Sequence, residues 1–89
     1  MIKVEKEVNG KISFYQQLEV LTGEEWMPVL SYEVGQEASV RHEYSKDGRK
    51  KTIKIDLPAS TVGEMVENEL NKNWLDYCNR YLSGRKLSA

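Results

Sequence analysis

This 89-residue sequence has little cysteine, one histidine and no strong excess of charge of either sign. Its single cysteine, Cys78, excludes an intramolecular disulfide framework and a multi-cysteine metal site, and such usage is typical of a reducing compartment. Thirteen basic and fourteen acidic residues leave a net charge of −1. No global field therefore favours binding to nucleic acid or to an anionic membrane.

Long apolar runs are also missing. No segment approaches the ~20 consecutive apolar residues of a membrane span, and residues 1–8 alternate charged and apolar side chains, unlike a signal peptide. We therefore expect a cytoplasmic protein with no membrane partner. The sequence contains no Walker loop, dinucleotide-binding glycine turn, paired metal ligands or nucleophile elbow. Its composition thus favours a non-enzymatic protein without a cofactor or a metal site.

Apolar residues recur with period two from residue 2 to residue 57, which is the pattern of an antiparallel meander. The turn signals that interrupt it are Asn9-Gly10, Thr22-Gly23, Gly35-Gln36 and Lys46-Asp47-Gly48. We predict strands at about residues 2–8, 11–21, 27–34, 38–45 and 50–57. The predicted fold is α+β, with four to five strands packed against one C-terminal helix. A chain of this length supports one core, so we expect a single domain over residues 1–84 and a frayed tail over residues 85–89.

The helical period begins after Pro58. Thr61 and Glu64 form a capping-box pattern, with Ser60 as a competing cap, and Gly84 is a natural C-terminal stop. We expect the inner face of the helix to carry the apolar residues at helical spacing, which are Val66, Leu70, Trp74, Tyr77, Cys78 and Tyr81.

Two hairpin registers follow from the turns. In the last hairpin, a two-residue Asp47-Gly48 turn would pair His42 with Ile53 on an apolar face and Arg41 with Lys54 on the outer face. In the first hairpin, a two-residue turn would place acidic residues opposite apolar ones. A three-residue loop would pair Ile2 with Leu18 and keep the apolar face intact, so we prefer a bulge or a longer turn there. Pro28 cannot donate within a central ladder, which predicts a wide loop or a bulged entry into the third strand.

Four groups of residues are candidates for function. His42 is the only histidine, the residue type best suited to general-base chemistry near neutral pH, although its predicted place on the apolar face favours a packing role. Arg41 and Lys54 could hold an anion between them, unless acidic neighbours relieve their repulsion. Trp26 and Trp74 could form an interface or a ligand pocket, but aromatic residues at such spacing are usually core. The densest positive cluster, on the last hairpin, consists of Lys46, Arg49, Lys50, Lys51 and Lys54.

The segments 25–33 and 42–48, followed by Asn73-Trp74, resemble a small uncharacterised prokaryotic family with the pattern W-x-P-V-x-x-Y-D, then H-x-Y-x-x-D-G, then N-W. That family is in turn similar to TumE-type toxins of toxin–antitoxin pairs. Glu33 stands where the pattern has aspartate. Residues 35–41 contain no histidine, whereas the TumE-type toxins have a histidine-rich segment at the equivalent of the fourth strand. The resemblance implies the fold more than the activity.

These observations favour a non-enzymatic binding domain that acts through a protein partner or a homo-oligomer, in a toxin–antitoxin or other prokaryotic accessory system. The binding residues we expect are Trp26, Arg41, Lys46, Arg49, Lys50, Lys51 and Lys54. The alternative is an RNA-directed protein, which either binds through Lys46 to Lys54 or cleaves with His42, Arg41 and Tyr44.

Overall fold

The computed structural model describes residues 2–6, 12–35 and 38–87. Its elements are β1 (Ile2–Lys6), β2 (Ile12–Thr22), β3 (Glu25–Gly35), β4 (Ser39–Tyr44), β5 (Lys50–Ile55) and α1 (Ala59–Leu82). The strands form one antiparallel sheet in the order β1-β2-β3-β4-β5. The helix packs on one face of this sheet, against β2, β3 and β4. The predicted α+β meander with a C-terminal helix is therefore confirmed.

The register of the first hairpin is the one that a three-residue loop predicts. Ile2 pairs with Leu18, and Lys6 pairs with Phe14. The turn itself lies outside the described residues. The apolar pattern therefore selected the register correctly, against the local preference of Asn9-Gly10 for a shorter turn.

A bulge interrupts the pairing of β2 with β3 beside Pro28. Leu18 pairs with Leu30, whereas the next residue, Glu19, pairs with Pro28, so that Val29 is the extra residue. The predicted bulge at Pro28 is confirmed, but β3 begins earlier than expected, at Glu25. The strands beyond the bulge extend the β2–β3 hairpin to its turn at Gly23, whose φ of 63° suits glycine.

The core lies between α1 and the central strands. Val62, Val66 and Leu70 of the helix are fully buried against Leu18 and Leu30 of the sheet. Burial of such side chains stabilises a fold by roughly 1.5–3 kcal/mol each. Leu87 is also buried in this cluster, with 7% of its surface exposed, although it lies in the segment predicted to be a frayed tail.

The two ends of α1 differ in how well the sequence predicted them. The helix begins at Ala59, directly after Pro58, and no side chain caps it, so the predicted capping boxes at Thr61 and Ser60 are wrong. At the other end Gly84 has a φ of 72°, and its N–H donates to the carbonyl of Tyr81 while Arg85 donates to Arg80. This is a Schellman motif, and it confirms Gly84 as the C-terminal stop.

The register of the last hairpin differs by one residue from the prediction. The Ser45 amide donates to the carbonyl of Arg49, and Gly48, with a φ of 91°, donates back to Ser45. The connection is therefore a three-residue loop with a glycine bulge rather than a two-residue turn. Because side chains alternate along a strand, this shift reverses which face each partner occupies.

Candidate functional site

The three residues of the hypothetical nuclease site lie on two faces of the sheet. Arg41 pairs with Ile53 and faces α1, whereas His42 pairs with Thr52 on the opposite face. The predicted pairs of His42 with Ile53 and of Arg41 with Lys54 are therefore wrong. Tyr44 shares the face of His42, where its hydroxyl lies 3.4 Å from Oγ of Ser31. The structure thus places His42 and Tyr44 on one face of the sheet and Arg41 on the other.

His42 occupies a polar, buried position. Its Nδ1 lies 2.9 Å from Oγ1 of Thr52, and its Nε2 lies 3.5 Å from Oε1 of Glu33. Only 8% of the residue is exposed. The Thr52 contact is a hydrogen bond across the strand pair and the Glu33 carboxylate lies beside the other ring nitrogen, which is typical of a histidine that fixes neighbouring strands to each other.

Arg41 is the centre of a network that joins the sheet to α1. Its Nη1 donates to Oε1 of Glu69 at 2.6 Å and to the hydroxyl of Tyr32 at 2.6 Å, and its Nε donates to Oε2 of Glu43 at 2.8 Å. Tyr32 and Tyr77 both donate to Glu69, and their rings each lie 5.5 Å from the Arg41 guanidinium carbon. The Arg41 side chain is 13% exposed. It is therefore engaged within the protein rather than presented to a partner.

The electrostatics of this network favour its charged, bonded form. Burial alone would raise the pKa of the Glu69 carboxyl, but hydrogen bonds from Tyr77 and Arg41 outweigh burial and lower the pKa. Burial would likewise lower the pKa of Arg41, yet Tyr32 and Glu69 raise it above its usual value. Burial raises the pKa of Tyr32 and of Tyr77, and the bonds to Glu69 add to this effect. A stable ion pair with neutral tyrosines follows, which is a structural arrangement rather than a proton-transfer site.

The basic residues of the last hairpin are on the surface, as expected for charged side chains. All five are exposed: Lys46, Arg49, Lys50, Lys51 and Lys54. Lys46 Nζ donates to the carbonyl of Leu82 at 3.2 Å, where the positive charge is favourable at the helix C-terminus. Arg49 Nε lies 3.0 Å from Oδ2 of Asp47. Lys50, Lys51 and Lys54 complete the exposed cluster, and Lys50 Nζ lies 5.9 Å from the centre of the Tyr44 ring.

Two further basic residues that the sequence analysis did not single out join this hairpin. A cleft of about 400 Å³ separates the hairpin from the segment after the helix, and Arg85 and Lys86 line its far wall. The Schellman motif turns the chain back toward the hairpin, and buried Leu87 anchors it. The predicted stop at Gly84 was the only signal in the sequence that could have placed Arg85 and Lys86 there.

The two tryptophans are both exposed, which corrects the expectation that they belong to the core. Trp74 is 41% exposed on α1, so its place on the predicted inner face is wrong. Trp26 is 47% exposed and lies directly opposite Leu21, which is 50% exposed, at the end of the β2–β3 hairpin. A large apolar pair is thus presented to solvent at one end of the sheet.

Other chemistry is sparse in the part of the chain that the structure describes. No group of three or more His, Cys, Asp or Glu side chains is placed there to hold a metal ion. Cys78 is buried on the inner face of α1, as predicted, and burial raises the pKa of its thiol. Among the same residues, no helix has the length and apolar character needed to cross a membrane.

Comparison with known proteins identifies a family. The family described as Domain of unknown function (DUF7718) matches residues 1–87, and the chain belongs to it. Neither a curated protein nor a solved structure matches the chain. Membership confirms the expectation of an uncharacterised family.

Proposed function

We propose that this chain is a non-enzymatic binding domain that acts through a protein partner, which contacts the Leu21–Trp26 pair. These two side chains are cross-strand neighbours, and about half of each is exposed. Solvent-exposed tryptophan costs hydration free energy, and tryptophan is among the residues that contribute most to protein interfaces. This exposed pair is the observation that carries the proposal.

The arrangement of the remaining candidates supports a binding protein over a nuclease. A general base needs a free ring nitrogen within reach of its substrate, but Thr52 and Glu33 lie beside the two nitrogens of His42. Arg41, the group that would stabilise a phosphate, is on the other face and bonded to Glu43 and Glu69. A single RNA-cleaving centre would require both faces of the sheet at once.

The resemblance to TumE-type toxins extends the proposal to the setting of the partner. The domain acts as one member of a toxin–antitoxin or comparable accessory pair, and the partner is encoded by a neighbouring gene. Coexpression of the chain with the products of its adjacent genes, followed by affinity purification, tests both the partner and the setting.

The contact surface is tested with matched tryptophan variants. Trp26→Ser removes the exposed hairpin side chain, and Trp74→Ser removes an indole of similar exposure on α1. We expect Trp26→Ser to weaken binding of the partner about tenfold or more, and Trp74→Ser to leave it unchanged, as measured by calorimetry. Equal binding by the wild type and Trp26→Ser, or no complex with any neighbouring gene product, would contradict the proposal.

RNA binding without cleavage is the second candidate function, and the cleft is the observation that favours it. Arg85 and Lys86 add positive charge opposite Arg49, Lys50 and Lys51, and phosphate contacts need such clusters. A gel shift with single-stranded and duplex RNA at several salt concentrations tests this candidate. Replacement of Arg49, Lys50 and Lys51 by Ser should abolish a shift that Lys72→Ser leaves intact, and no binding at low salt ends the hypothesis.

A further inference from the structure

The strand β5 forms one edge of the sheet. In the described residues it pairs only with β4, and none of the backbone hydrogen bonds outside the regular elements satisfies its outer side. The Ser45–Arg49 pair is hydrogen-bonded, and in an antiparallel ladder such pairs alternate with non-bonded ones. Lys51, Ile53 and Ile55 therefore direct their backbone groups toward β4. By the same alternation, Lys50, Thr52 and Lys54 direct their N–H and C=O groups outward.

The two faces of β5 carry different side chains. On the face away from the helix, exposed Lys50 and Lys54 flank Thr52. On the helix side, Ile53 and Ile55 are only half-buried, because α1 packs mainly over the strands nearer the centre of the sheet. An added strand would meet the two positive charges of Lys50 and Lys54 on one face, and on the other the apolar surface of Ile53 and Ile55 beside the exposed charge of Lys51.

We propose that the outer edge of β5 binds an extended segment of a protein partner in which acidic and apolar residues alternate. The segment extends the sheet by one strand, so that its backbone pairs with Lys50, Thr52 and Lys54. Its carboxylates lie beside Lys50 and Lys54, and its apolar side chains cover Ile53 and Ile55. Opposite charges on neighbouring strands stabilise such a pairing.

Charge complementarity decides the occupant. Lysine on an edge strand prevents edge-to-edge pairing between copies of one chain, because two copies of β5 would bring lysine against lysine. An acidic segment reverses the sign of that interaction. The same lysines therefore exclude self-association along this edge and select a partner strand of opposite charge.

This inference rests on the proposed function, since it assigns the chemistry of the partner, but it uses another surface. Trp26 lies at the end of the β2–β3 hairpin, whereas β5 is an edge on the far side of β4. The two surfaces can therefore be tested separately with single substitutions.

The probe is a peptide of alternating glutamate and valine that spans the length of β5, with a lysine–valine peptide of the same length as its control. We expect the acidic peptide alone to shift the amide resonances of Lys50, Thr52 and Lys54 in a nuclear magnetic resonance titration. Lys54→Glu should weaken binding about tenfold. Lys72→Glu, an equal charge change on the exposed side of α1, should leave binding unchanged.

The backbone contribution is tested at Thr52. Thr52→Pro removes the outward N–H, which an edge strand tolerates, and Thr52→Val removes only the hydroxyl that contacts His42. We expect Thr52→Pro to abolish binding and Thr52→Val to retain it. If Thr52→Pro fails to fold, the Lys54→Glu and Lys72→Glu comparison decides the matter alone.

Three outcomes of the peptide titration would overturn the inference. These are no shift of β5 amides with the acidic peptide, equal shifts with the lysine–valine peptide, and shifts produced only by poly-uridylate RNA, which would assign the lysines to phosphates. A partner complex that is lost in Trp26→Ser but intact in Lys54→Glu would refute this inference and leave the proposed function standing. The absence of any partner complex would refute the proposed function instead.

Discussion

Removal of the Glu69 carboxylate tests whether the Arg41 network holds the helix on the sheet. Glu69→Ala leaves the guanidinium of Arg41 with Glu43 as its remaining carboxylate and removes the acceptor of the Tyr32 and Tyr77 hydroxyls. Loss of one partner from a buried pair costs about 3–5 kcal/mol. Because 22% of the Glu69 side chain is exposed, solvent screening reduces this figure, and we expect about 2–4 kcal/mol.

Urea denaturation measures this loss directly. With an m-value of about 1–1.5 kcal/mol/M for a small domain, the unfolding midpoint should fall by about 2 M, and the melting temperature should fall by about 10–25 °C. Glu67→Ala, an exposed glutamate on the same helix, is the control and should change stability by less than about 0.5 kcal/mol. Equal effects of the two substitutions would refute the reasoning.

A double-mutant cycle isolates the ion pair from the rest of the network. Arg41→Met combined with Glu69→Leu removes both charges and leaves apolar side chains of similar length. The double variant should be less destabilised than the sum of the two single ones, because neither charge remains unpaired. Additive effects would mean that the two side chains contribute independently.

Three further outcomes follow from other parts of the structure. His42→Ala should lower the free energy of unfolding by about 1–3 kcal/mol, through loss of the contact with Thr52. Any RNA cleavage seen with the preparation should be the same in this variant, because cleavage that does not need His42 comes from a contaminating nuclease. Gly84→Ala should lower the free energy of unfolding by about 1 kcal/mol, measured by thermal unfolding, because the φ of 72° disfavours alanine. An added methyl group would meet no neighbouring atom, so the cost comes from the backbone alone. The raised pKa of Tyr32 and of Tyr77 contributes stability that is present below pH ~10 and is lost as the pH rises toward their folded-state values. Ultraviolet absorbance should therefore show these two tyrosines ionising together with unfolding, and their titration at the ordinary pKa in the folded protein would contradict this.

The sequence predicted the elements better than the pairing of the last two strands. Alternation of apolar and polar residues was sufficient for β1 and β2, because the register that keeps the apolar positions of both strands on one face is the one that pairs Ile2 with Leu18. In β4 and β5 the lysines and the single histidine fit either face, so the register depended on the loop. Gly48 is compatible with both a two-residue and a three-residue connection, and the structure has the longer one.

That single residue of register accounts for most of the difference at the candidate site. It moves Arg41 from an expected surface pair with Lys54 into the network with Glu69, and it moves His42 from Ile53 to Thr52. The tertiary partner that stabilises Arg41, a glutamate 28 residues later on the helix, leaves no local signal in the sequence. Arg85 and Lys86 were missed for the same reason, since only the fold places them beside the hairpin.

The order of the strands has a consequence for synthesis. Each strand from β2 to β5 pairs with the strand made just before it. The strands therefore leave the ribosome in the order in which they add to the sheet. The helix that covers Leu18 and Leu30 is made after all five of these strands. A nascent chain that ends before Ala59 therefore carries the five described strands with one apolar face uncovered, and such exposed apolar surface favours aggregation until the helix through Leu70 has been made.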